Sequence, residues 1–428
     1  MGKGLIKTAL SAYNLGWKAA TPFLKLNHRL KDGWEQRTLS GGYPAHAHLW
    51  IQAASGGEAY LTWEVLKHLE NKKNSTLRVL VTANTLQGFE TLQRAADEIN
   101  ADRKGIAVQP WYFPFDAPDI MRQMMRHVRP EVALIMETEI WPGFLNACKE
   151  FGVKTLLANG RMSTKSLGGY LSWPSLFREL GPNRIMAISE TDGRRFGTLF
   201  GRDRVWVMPN IKFDRMAGAG PMQRKDNPLA SFIPEDMNFI VLGSVRKEEM
   251  TPVKKIAAAL VRHRTKTVVG LFPRHMHHVP LWSKALDSVG LTWSLRSTMT
   301  EPPRPGTAIL WDTFGELVPA YGLADAAFVG GSLAPLGGQN FLEPLTCGVT
   351  PVIGPHWSNF TWIGQDIFDL GLARMGEDAE HVLNLLIEIL DEDVPRKEIY
   401  AKANAYIKDR TGGAKAVSKQ VAEFLNNV

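Results

Sequence analysis

The chain has 428 residues, 44% hydrophobic and 22% charged, which excludes a largely disordered protein and predicts two or three domains. Its two cysteines, Cys148 and Cys347, are too few for a disulfide framework or a thiolate zinc site; they predict two small buried side chains and suggest a reducing compartment. Residues 1–40 hold +5 of the net charge of +7, which argues against a general nucleic-acid-binding surface.

The first 40 residues form a basic amphipathic segment. A membrane-spanning helix needs an apolar run of about 18 residues without charges, and no run in this segment approaches that length. The segment also lacks a signal-peptide cleavage pattern. On a helical wheel, polar and apolar side chains form adjacent stripes: Lys3, Lys7, Asn14 and Lys18, flanked by Ile6, Leu10, Tyr13 and Trp17, with Leu5, Ala9 and Ala12 beyond. This pattern predicts a helix in a membrane interface, with lysines at anionic headgroups. The alternative is a helix packed on its own domain.

From residue 48, short apolar runs alternate with amphipathic ones. The apolar runs predict strands at 48–54, 77–82, 106–111, 132–136, 155–158 and 185–188. Alternation stops in the proline-rich stretch 209–238 and resumes with strands at 238–242, 267–272, 307–311, 325–329 and 350–353, followed by helices from about residue 360 to the end, one of which is able to cross back to the first domain. Such alternation predicts parallel sheets covered by helices on both faces.

The predicted organisation is therefore two α/β domains joined by a linker and facing a central cleft, which is a favoured place for a ligand. The boundaries are a basic segment at 1–40, a first domain at 41–215, a linker at 216–238 and a second domain at 239–428.

The first chemical candidate is Glu58, in the turn between the strand at 48–54 and a helix. Gly56 and Gly57 predict a tight turn that projects the carboxylate from the sheet edge, where open α/β sheets bind ligands. The alternative for Glu58 is an ordinary first-turn glutamate that complements the helix dipole.

Other polar residues follow later strands of the first domain. Glu137 and Glu139 take alternate positions at a strand end, so both face one side and suggest hydroxyl binding. Further strand ends and the segment before the linker add candidate hydroxyl and phosphate ligands: Asn159, Arg161, Ser163 and Lys212.

In the second domain, the glycine-rich turn within 325–348 predicts a phosphate site at the start of a helix near Gln339. Glu343, one turn inside that helix, is placed to accept hydrogen bonds from ribose hydroxyls. Arg274 and His275 follow a strand at the same edge and offer phosphate donors. The spacing of His275, His277 and His278 does not fit a helical zinc site, and no carboxylate or cysteine lies nearby in the sequence, so no metal is predicted.

These motifs, taken in order, resemble one family. "QAASGGE", "METEIWP", "NGRMSTKS", "NIKFD", "FPRH", "DTFGEL" and "FVGGSLAPLGGQNFLEP" occur between residues 27 and 359 as in the 3-deoxy-D-manno-oct-2-ulosonic acid (Kdo) transferases of lipid A assembly. The resemblance implies the GT-B fold, with two Rossmann-like domains. It also implies inverting glycosyl transfer from CMP-Kdo to a lipid A precursor, without a metal or cofactor, on the cytoplasmic face of the bacterial inner membrane.

The resemblance also assigns roles to residues. The resemblance implies that Glu58 is the general base. It also implies that the second domain binds the CMP-sugar, through Ser244, Arg274, His275, Gly315, Glu316, Asn340 and Glu343. The first domain is implied as the acceptor site, for which the candidates are Ser55, Gly57, Glu137, Glu139, Arg161 and Lys212.

The sequence departs from the family pattern at several positions. Gln52 and Gln339 stand where the family usually has histidine, Gly56 where it has a valine-like residue, and "LGSVRKEE" at 242–249 where it has a small-Gly-Ser-Thr-His pattern. Other readings are a GT-B transferase with another CMP-ulosonic acid or a UDP-sugar as donor, a sugar-nucleotide epimerase, and a noncatalytic lipid- or nucleotide-binding homologue. The basic helix argues against the epimerase, and the presence of Glu58 argues against the noncatalytic protein.

Overall fold

The computed structural model describes residues 3–71, 75–102, 105–216, 220, 222–264, 266–392 and 394–426. The chain forms two compact units: Met1–Arg215 together with Arg410–Val428, and Met216–Asp409. The structure thus differs from the predicted second domain, 239–428, because its last residues belong to the first unit. Asp214 accepts hydrogen bonds from the N–H groups of Gly412 (2.6 Å) and Ala414 (3.0 Å) at the start of that returning segment.

The first unit is built on a parallel sheet. Within the described residues its strands are β1 Leu49–Ala53, β2 Leu77–Ala83, β3 Ile106–Tyr112, β4 Val132–Met136, β5 Lys154–Gly160, β6 Arg184–Ala187 and β7 Val205–Val207. Their order across the sheet is β3-β2-β1-β4-β5-β6-β7, and every adjacent pair is parallel. The chain therefore builds outward from β1, then crosses to its other side at β4.

Helices cover both faces of this sheet. They are α1 Lys3–Leu24, α2 His28–Lys31, α3 Trp34–Thr38, α4 Gly56–His68, α5 Leu86–Asp102, α6 Pro118–Val128, α7 Pro142–Glu150, α8 Thr164–Tyr170, α9 Pro174–Leu180, α10 Glu190–Phe200 and α11 Ile211–Asp214. Successive residues of β1 point to opposite faces: Ile51 packs in the core layer that includes α4 and α5, and Trp50 packs in the layer that includes α6 and α7.

The second unit has the same plan. Its described strands are β8 Asn238–Val245, β9 Thr267–Pro273, β10 Trp293–Leu295, β11 Thr307–Leu310, β12 Ala326–Val329, β13 Pro351–Ile353 and β14 Arg374–Met375. They form a parallel sheet in the order β10-β11-β9-β8-β12-β13-β14. In this sheet the chain first adds strands on one side of β8, and β12 then begins the other side.

The remaining helices belong to the second unit, except for the last one, which belongs to the first. Those of the second unit are α12 Met250–His263, α13 Val279–Asp287, α14 Leu317–Leu323, α15 Leu342–Thr346, α16 Asp366–Asp369, α17 Ala379–Asp391 and α18 Arg396–Lys408. The returning segment forms α19, Gly413–Asn426, whose Val417 and Val421 join the core of the first unit beside Val65 of α4. Short 3-10 turns lie at Arg202–Arg204, Arg224–Asp226, Lys247–Glu249, Met276–His278, Arg296–Thr298 and Thr361–Ile363.

The two parallel, helix-covered sheets predicted from the sequence are confirmed, and each predicted strand is present to within a few residues. The strands that the sequence did not predict, β7, β10 and β14, lie at sheet edges and have two or three residues each, half-buried or exposed. Because of β14, the expectation of helix alone after residue 360 is wrong. Cys148 and Cys347 are free and buried, as predicted.

Helix α1 lies against the first unit, mainly on α6. Ile6 and Leu10 are buried, and the indole of Trp17 stacks on Phe115 with ring centroids 5.6 Å apart. Part of the apolar side predicted to enter a membrane therefore packs on the protein. Leu5 of that side is exposed (46%), as are Leu15 (68%) and Phe23 (73%). The side chain of Lys3 lies outside the described part of the chain. Across the described residues, no helix combines the length and apolarity that a bilayer crossing requires.

Candidate active site

Glu58 lies where the strand order of the first sheet changes direction, beyond the carboxyl end of β1 and beside that of β4. Its carboxylate closes the first turn of α4: Oε1 accepts a hydrogen bond from the Ser55 hydroxyl (3.0 Å), and Oε2 accepts one from the N–H of Ala54 (2.5 Å). The Ser55 hydroxyl in turn accepts from the N–H of Glu58 (3.4 Å). The side chain is thus fixed at a topological switch point, with 8% exposure.

The glycines before Glu58 act differently from the prediction. Both have φ outside the left-handed region, so the turn does not need glycine to avoid backbone strain. A Cβ on Gly56 would meet the side chain of Gln87 at 2.9 Å, and one on Gly57 would meet only the Ser55 hydroxyl oxygen, at 3.7 Å. Gly57 is exposed, so its missing side chain leaves open space at the start of α4.

Glu137 and Glu139 stand close enough for their charges to act on Glu58. Burial, then these two carboxylates, raises the pKa of Glu58 to about 7, while the hydrogen bonds from Ala54 and Ser55 oppose the shift. Burial, with the charge of Glu137, also raises the pKa of Glu139. The structure thus brings the predicted carboxylates together and produces a group that ionises near neutral pH.

Lys212 joins this cluster from α11. Its ammonium lies 2.9 Å from Glu137 Oε1, and Glu137 itself has a left-handed backbone with φ of 56°. Asn159 also has a left-handed backbone, at a register shift in β5, and its Oδ1 accepts from the N–H of Ile211 (2.9 Å) at the start of α11. A strained residue at a strand end therefore fixes the helix that carries Lys212.

Two predicted ligands in this region serve the protein itself. Asn159 is fully buried and holds α11, and the hydroxyl of Ser163 caps α8 by accepting from the N–H of Ser166 (3.0 Å). Arg161 accepts a hydrogen bond from the Thr138 hydroxyl at its backbone carbonyl, which ties it to the segment between Glu137 and Glu139.

The second unit has a corresponding edge, where β8 and β12 lie side by side. Ser244 has a left-handed backbone with φ of 53° at a register shift near the end of β8. The N–H of Gly330 donates to the carbonyl of Gly243 (2.8 Å), and a Cβ on Gly330 would lie 2.7 Å from Val245 Cα. The glycine at this position allows the two backbones to approach closely.

The helix that follows the glycine-rich turn begins later than predicted. Helix α15 begins at Leu342, rather than near Gln339, and has five residues. Asn340 donates to Glu343 Oε1 (3.0 Å), and its own Oδ1 accepts from the N–H of Leu342 (3.3 Å). These side chains are therefore held by one another at the end of the turn.

Arg274 and His275 follow β9, as predicted. Arg274 is exposed, and its N–H donates to the carbonyl of Val245 (2.9 Å), next to the bulge at Ser244. Partial burial, followed by the charges of Arg246 and Arg274, lowers the pKa of His275. Arg246 thus belongs to the same basic group, although the sequence did not assign it a role. No three His, Cys, Asp or Glu side chains in the described ranges are grouped to hold a metal ion.

The loop after β11 carries the remaining candidates. Glu316 accepts hydrogen bonds from the Trp311 indole (2.7 Å), the Thr313 hydroxyl (2.7 Å) and Arg296 (3.0 Å). Gly315 has a φ of 83°, which favours glycine. The carboxylate of Glu316 thus fixes the loop from within and is already engaged by side chains of its own unit.

Sequence comparison assigns the family. Residues 29–215 match the family model described as 3-deoxy-D-manno-octulosonic-acid transferase (kdotransferase). A 3-deoxy-D-manno-octulosonic acid transferase of Bordetella pertussis is 30% identical over 388 residues, which cover 89% of this chain and 88% of that protein. The chain belongs to the Kdo transferase family. A similarly named protein of Haemophilus influenzae is 26% identical over 360 residues, covering 83% of this chain and 82% of that one.

Solved structures agree with this assignment at the level of the fold. A glycosyltransferase from Rickettsia africae superposes on the Kdo transferase chain with a TM-score of 0.57 at 13% identity, covering 90% of this chain and all of that one. A UDP-N-acetylglucosamine 2-epimerase gives 0.56 at 12% identity, with coverages of 89% and 96%. The fold is GT-B, as predicted. Transferases and epimerases share it, so the fold alone does not identify the reaction.

The sequence did not indicate a role for Glu249 of this Kdo transferase. It is a buried glutamate at the end of the 3-10 turn after β8, and it binds the glycine-rich turn through backbone N–H groups. The available signal was its spacing from Arg246, since a glutamate three residues after a turn begins is a capping pattern. That signal predicts one local hydrogen bond and not the contacts made more than 80 residues away.

Proposed function

We propose that this transferase moves Kdo from CMP-Kdo to a lipid A precursor with inversion at the transferred carbon, and that Glu58 is the general base. The observation that carries the proposal is the fixed carboxylate of Glu58 at the switch point of the first sheet, with a pKa raised to about 7. A base with a pKa near the working pH combines a large ionised fraction with useful proton affinity.

In the proposed step, an acceptor hydroxyl gives its proton to Glu58 as its oxygen forms a bond to the anomeric carbon of Kdo. The bond between that carbon and the CMP phosphate oxygen breaks, and CMP leaves with the electron pair. The open space beside Gly57 is where the acceptor hydroxyl reaches the carboxylate. Ser55 orients the base, because its hydroxyl donates to Glu58 Oε1.

The charges around Glu58 favour sugar hydroxyls over phosphate as the acceptor group bound there. Glu137 and Glu139 add negative charge, and the ammonium of Lys212 is already paired with Glu137. Carboxylates accept hydrogen bonds from hydroxyls and repel phosphates. We therefore assign Glu137 and Glu139 to acceptor hydroxyls, with Lys212 and Arg161 holding that loop in place.

The second unit is assigned to the donor. Arg274 is exposed at the sheet edge, and Arg246 and His275 lie near it, so positive charge gathers where the donor phosphate and the Kdo carboxylate would bind. The backbone around Ser244, the loop at Gly315 and Glu316, and the pair Asn340 and Glu343 line the same edge of the sheet and are assigned to the nucleotide.

Association with an anionic membrane surface completes the proposal. Helix α1 presents exposed Leu15 and Phe23 on the side away from its packed residues. Lys7 and Lys18 are exposed along the helix, and Lys25 is exposed directly after its end. An interfacial helix inserts apolar side chains and keeps lysines at headgroup level. The protein would thereby meet a lipid acceptor at the cytoplasmic surface of the inner membrane as a peripheral protein.

The test is transfer from freshly generated CMP-Kdo to a tetraacylated lipid A precursor, with products resolved by mass. Glu58→Gln should lower the rate by about 10²- to 10⁴-fold while the circular dichroism spectrum stays unchanged. Glu64→Gln, in the same helix and paired with Lys67, is the matched control and should retain the rate. A loss below tenfold for Glu58→Gln would reject the base, and competition by UMP but not CMP would reject the donor.

A further inference from the structure

The carboxylate of Glu249 is fully buried in the second unit and is surrounded by backbone N–H groups. Its Oε1 accepts from Ser332 (2.8 Å) and Leu333 (2.7 Å). Its Oε2 accepts from Gly331 (2.5 Å) and Arg246 (3.1 Å). Glu249 has 0% exposure, so these hydrogen bonds replace the water that an ionised carboxylate would otherwise bind.

Converging backbone N–H groups form a concave anion site, and at a sheet switch point such a site commonly binds a phosphate. Here the protein's own carboxylate fills the site made by residues 331–333. A donor phosphate therefore cannot use the N–H groups of Gly331, Ser332 and Leu333. The remaining candidates for binding it are the second half of the turn, residues 337–340, and the basic group that includes Arg274.

The position of that second half depends on the first. The N–H of Gly338 donates to the carbonyl of Gly331 (2.7 Å), and the N–H of His356 donates to that of Ser332 (3.0 Å). The Ser332 hydroxyl also accepts from the N–H of Gly354 (2.9 Å). Glu249 thus anchors the residues on which the phosphate-binding end of the turn is built.

The same carboxylate fixes the opposite side of the site. Its fourth donor is the N–H of Arg246, whose guanidinium acts on His275 and pairs with Glu248 at 3.6 Å. One buried anion therefore sets the spacing between the basic residues after β8 and the glycine-rich turn after β12.

We propose that Glu249 is a positioning residue for the donor: an internal anion that holds the glycine-rich turn open toward the donor phosphate. Naming CMP-Kdo as that donor rests on the proposed function, but the role of Glu249 applies to any nucleoside phosphate bound at this edge. The proposal predicts a defect in donor binding that another small carboxylate can repair.

The experiment compares Glu249→Gly and Glu249→Gln with the control Glu380→Gln, at an exposed glutamate of α17, in the full-length protein; the control should bind CMP as the wild type does. Calorimetric titration measures the Kd for CMP in sodium formate and in sodium chloride at the same ionic strength. In chloride, both Glu249 variants should bind CMP about tenfold more weakly or worse, since hydrogen bonds to a charged group are lost. Formate should restore binding in Glu249→Gly, where the anion site is vacated, and not in Glu249→Gln, where the amide fills it.

Kinetics provide the second readout. The KM for the donor should rise with the Kd, while kcat at saturating donor changes less, because Glu249 does not touch the reacting atoms. Unchanged CMP binding in both Glu249 variants, or a defect that formate does not repair in a folded Glu249→Gly protein, overturns the proposal. If wild type binds UMP and not CMP, the donor assignment fails, and the effect of Glu249 is then measured with UMP.

Discussion

The ammonium of Lys212 lies 2.9 Å from the carboxylate of Glu137, in the acidic group that raises the pKa of Glu58. We expect Lys212 to offset part of the negative charge that Glu58 experiences. The pKa of the proposed base depends on the charge of Glu137 as well as on burial, so the pH dependence of the rate should show the effect of this ion pair.

Removing the ammonium should make the proposed base harder to ionise. In Lys212→Met the charge of Glu137 acts on Glu58 without compensation, so the rising limb of log kcat/KM against pH should move up by about half a unit to one unit. Glu137→Gln removes the negative charge and should move the limb down. Lys165→Met, a change at an exposed lysine of α8, is the control. Movement in the same direction for Lys212→Met and Glu137→Gln would contradict this electrostatic account.

The pKa of Glu58 also makes the stability of the protein depend on pH. The folded value of about 7 lies above the ordinary 4.5, so between these values the unfolded chain releases a proton that the folded protein keeps. The contribution of Glu58 to stability is therefore fully present below pH 4.5 and is lost as pH rises through 7.

Glu58→Gln should remove this dependence. Between pH 5 and pH 7.5, the free energy of unfolding of the wild type should fall by about 1 to 3 kcal/mol more than that of the variant. Urea denaturation of both proteins at the two pH values measures the difference. Parallel changes in the two proteins would show that Glu58 is ionised in both states across this range.

The fold was largely predictable because buried parallel strands have a strong sequence signal. The run at 132–136 is apolar at every position and matches β4 from end to end. The edge strand Val205–Val207 gives no such signal, because it is short and its Trp206 is 44% exposed. The return of residues 410–428 to the first unit depends on contacts such as those of Asp214, which link positions about 200 residues apart.

The site was predictable only in part, for a similar reason. Glu58, Glu137 and Glu139 follow strands in the sequence, which predicted that they lie close together, because the carboxyl ends of neighbouring parallel strands share an edge of the sheet. The sequence could not show that the amide of Asn159 would be used to hold α11, or that Glu249 would bind the N–H groups of residues 331–333 in the glycine-rich turn. Hydrogen bonding between distant backbone segments decides these roles.

Tyr13 connects α1 to the loop that follows Glu139. Its hydroxyl donates to Asp116 Oδ2 (2.9 Å), and the Asp116 carboxylate also accepts from the N–H groups of Gly143 (2.8 Å) and Phe144 (2.7 Å) at the start of α7. Tyr13→Phe should lower the free energy of unfolding by about 1 to 3 kcal/mol, because a hydrogen bond to a buried carboxylate is lost. Tyr43→Phe, at an exposed tyrosine, is the control in the same urea denaturation. Equal effects of the two changes would show that the Tyr13 contact contributes little.

The packing of α1 also decides how membrane association should be tested. Deleting the helix would uncover the surface around Phe115 that Trp17 covers, so loss of vesicle binding by a deletion would have two explanations. Substitutions on the exposed side avoid this problem. Leu15→Ser with Phe23→Ser should weaken binding to vesicles that contain phosphatidylglycerol by at least about tenfold, since each large apolar side chain contributes about 1.5 to 3 kcal/mol when fully removed from water.

The measurement is flotation with vesicles over a range of salt concentrations. Lys7→Gln with Lys25→Gln should weaken binding most at low salt, because screening already reduces headgroup attraction at high salt. The matched apolar control is Leu281→Ser, at a surface leucine of the second unit that is 46% exposed. Equal loss from this control and from the α1 variants, or retained binding in all of them, would assign the membrane contact to another surface. Selective loss in the α1 variants, with CMP binding intact, would place the lipid contact on the exposed side of α1.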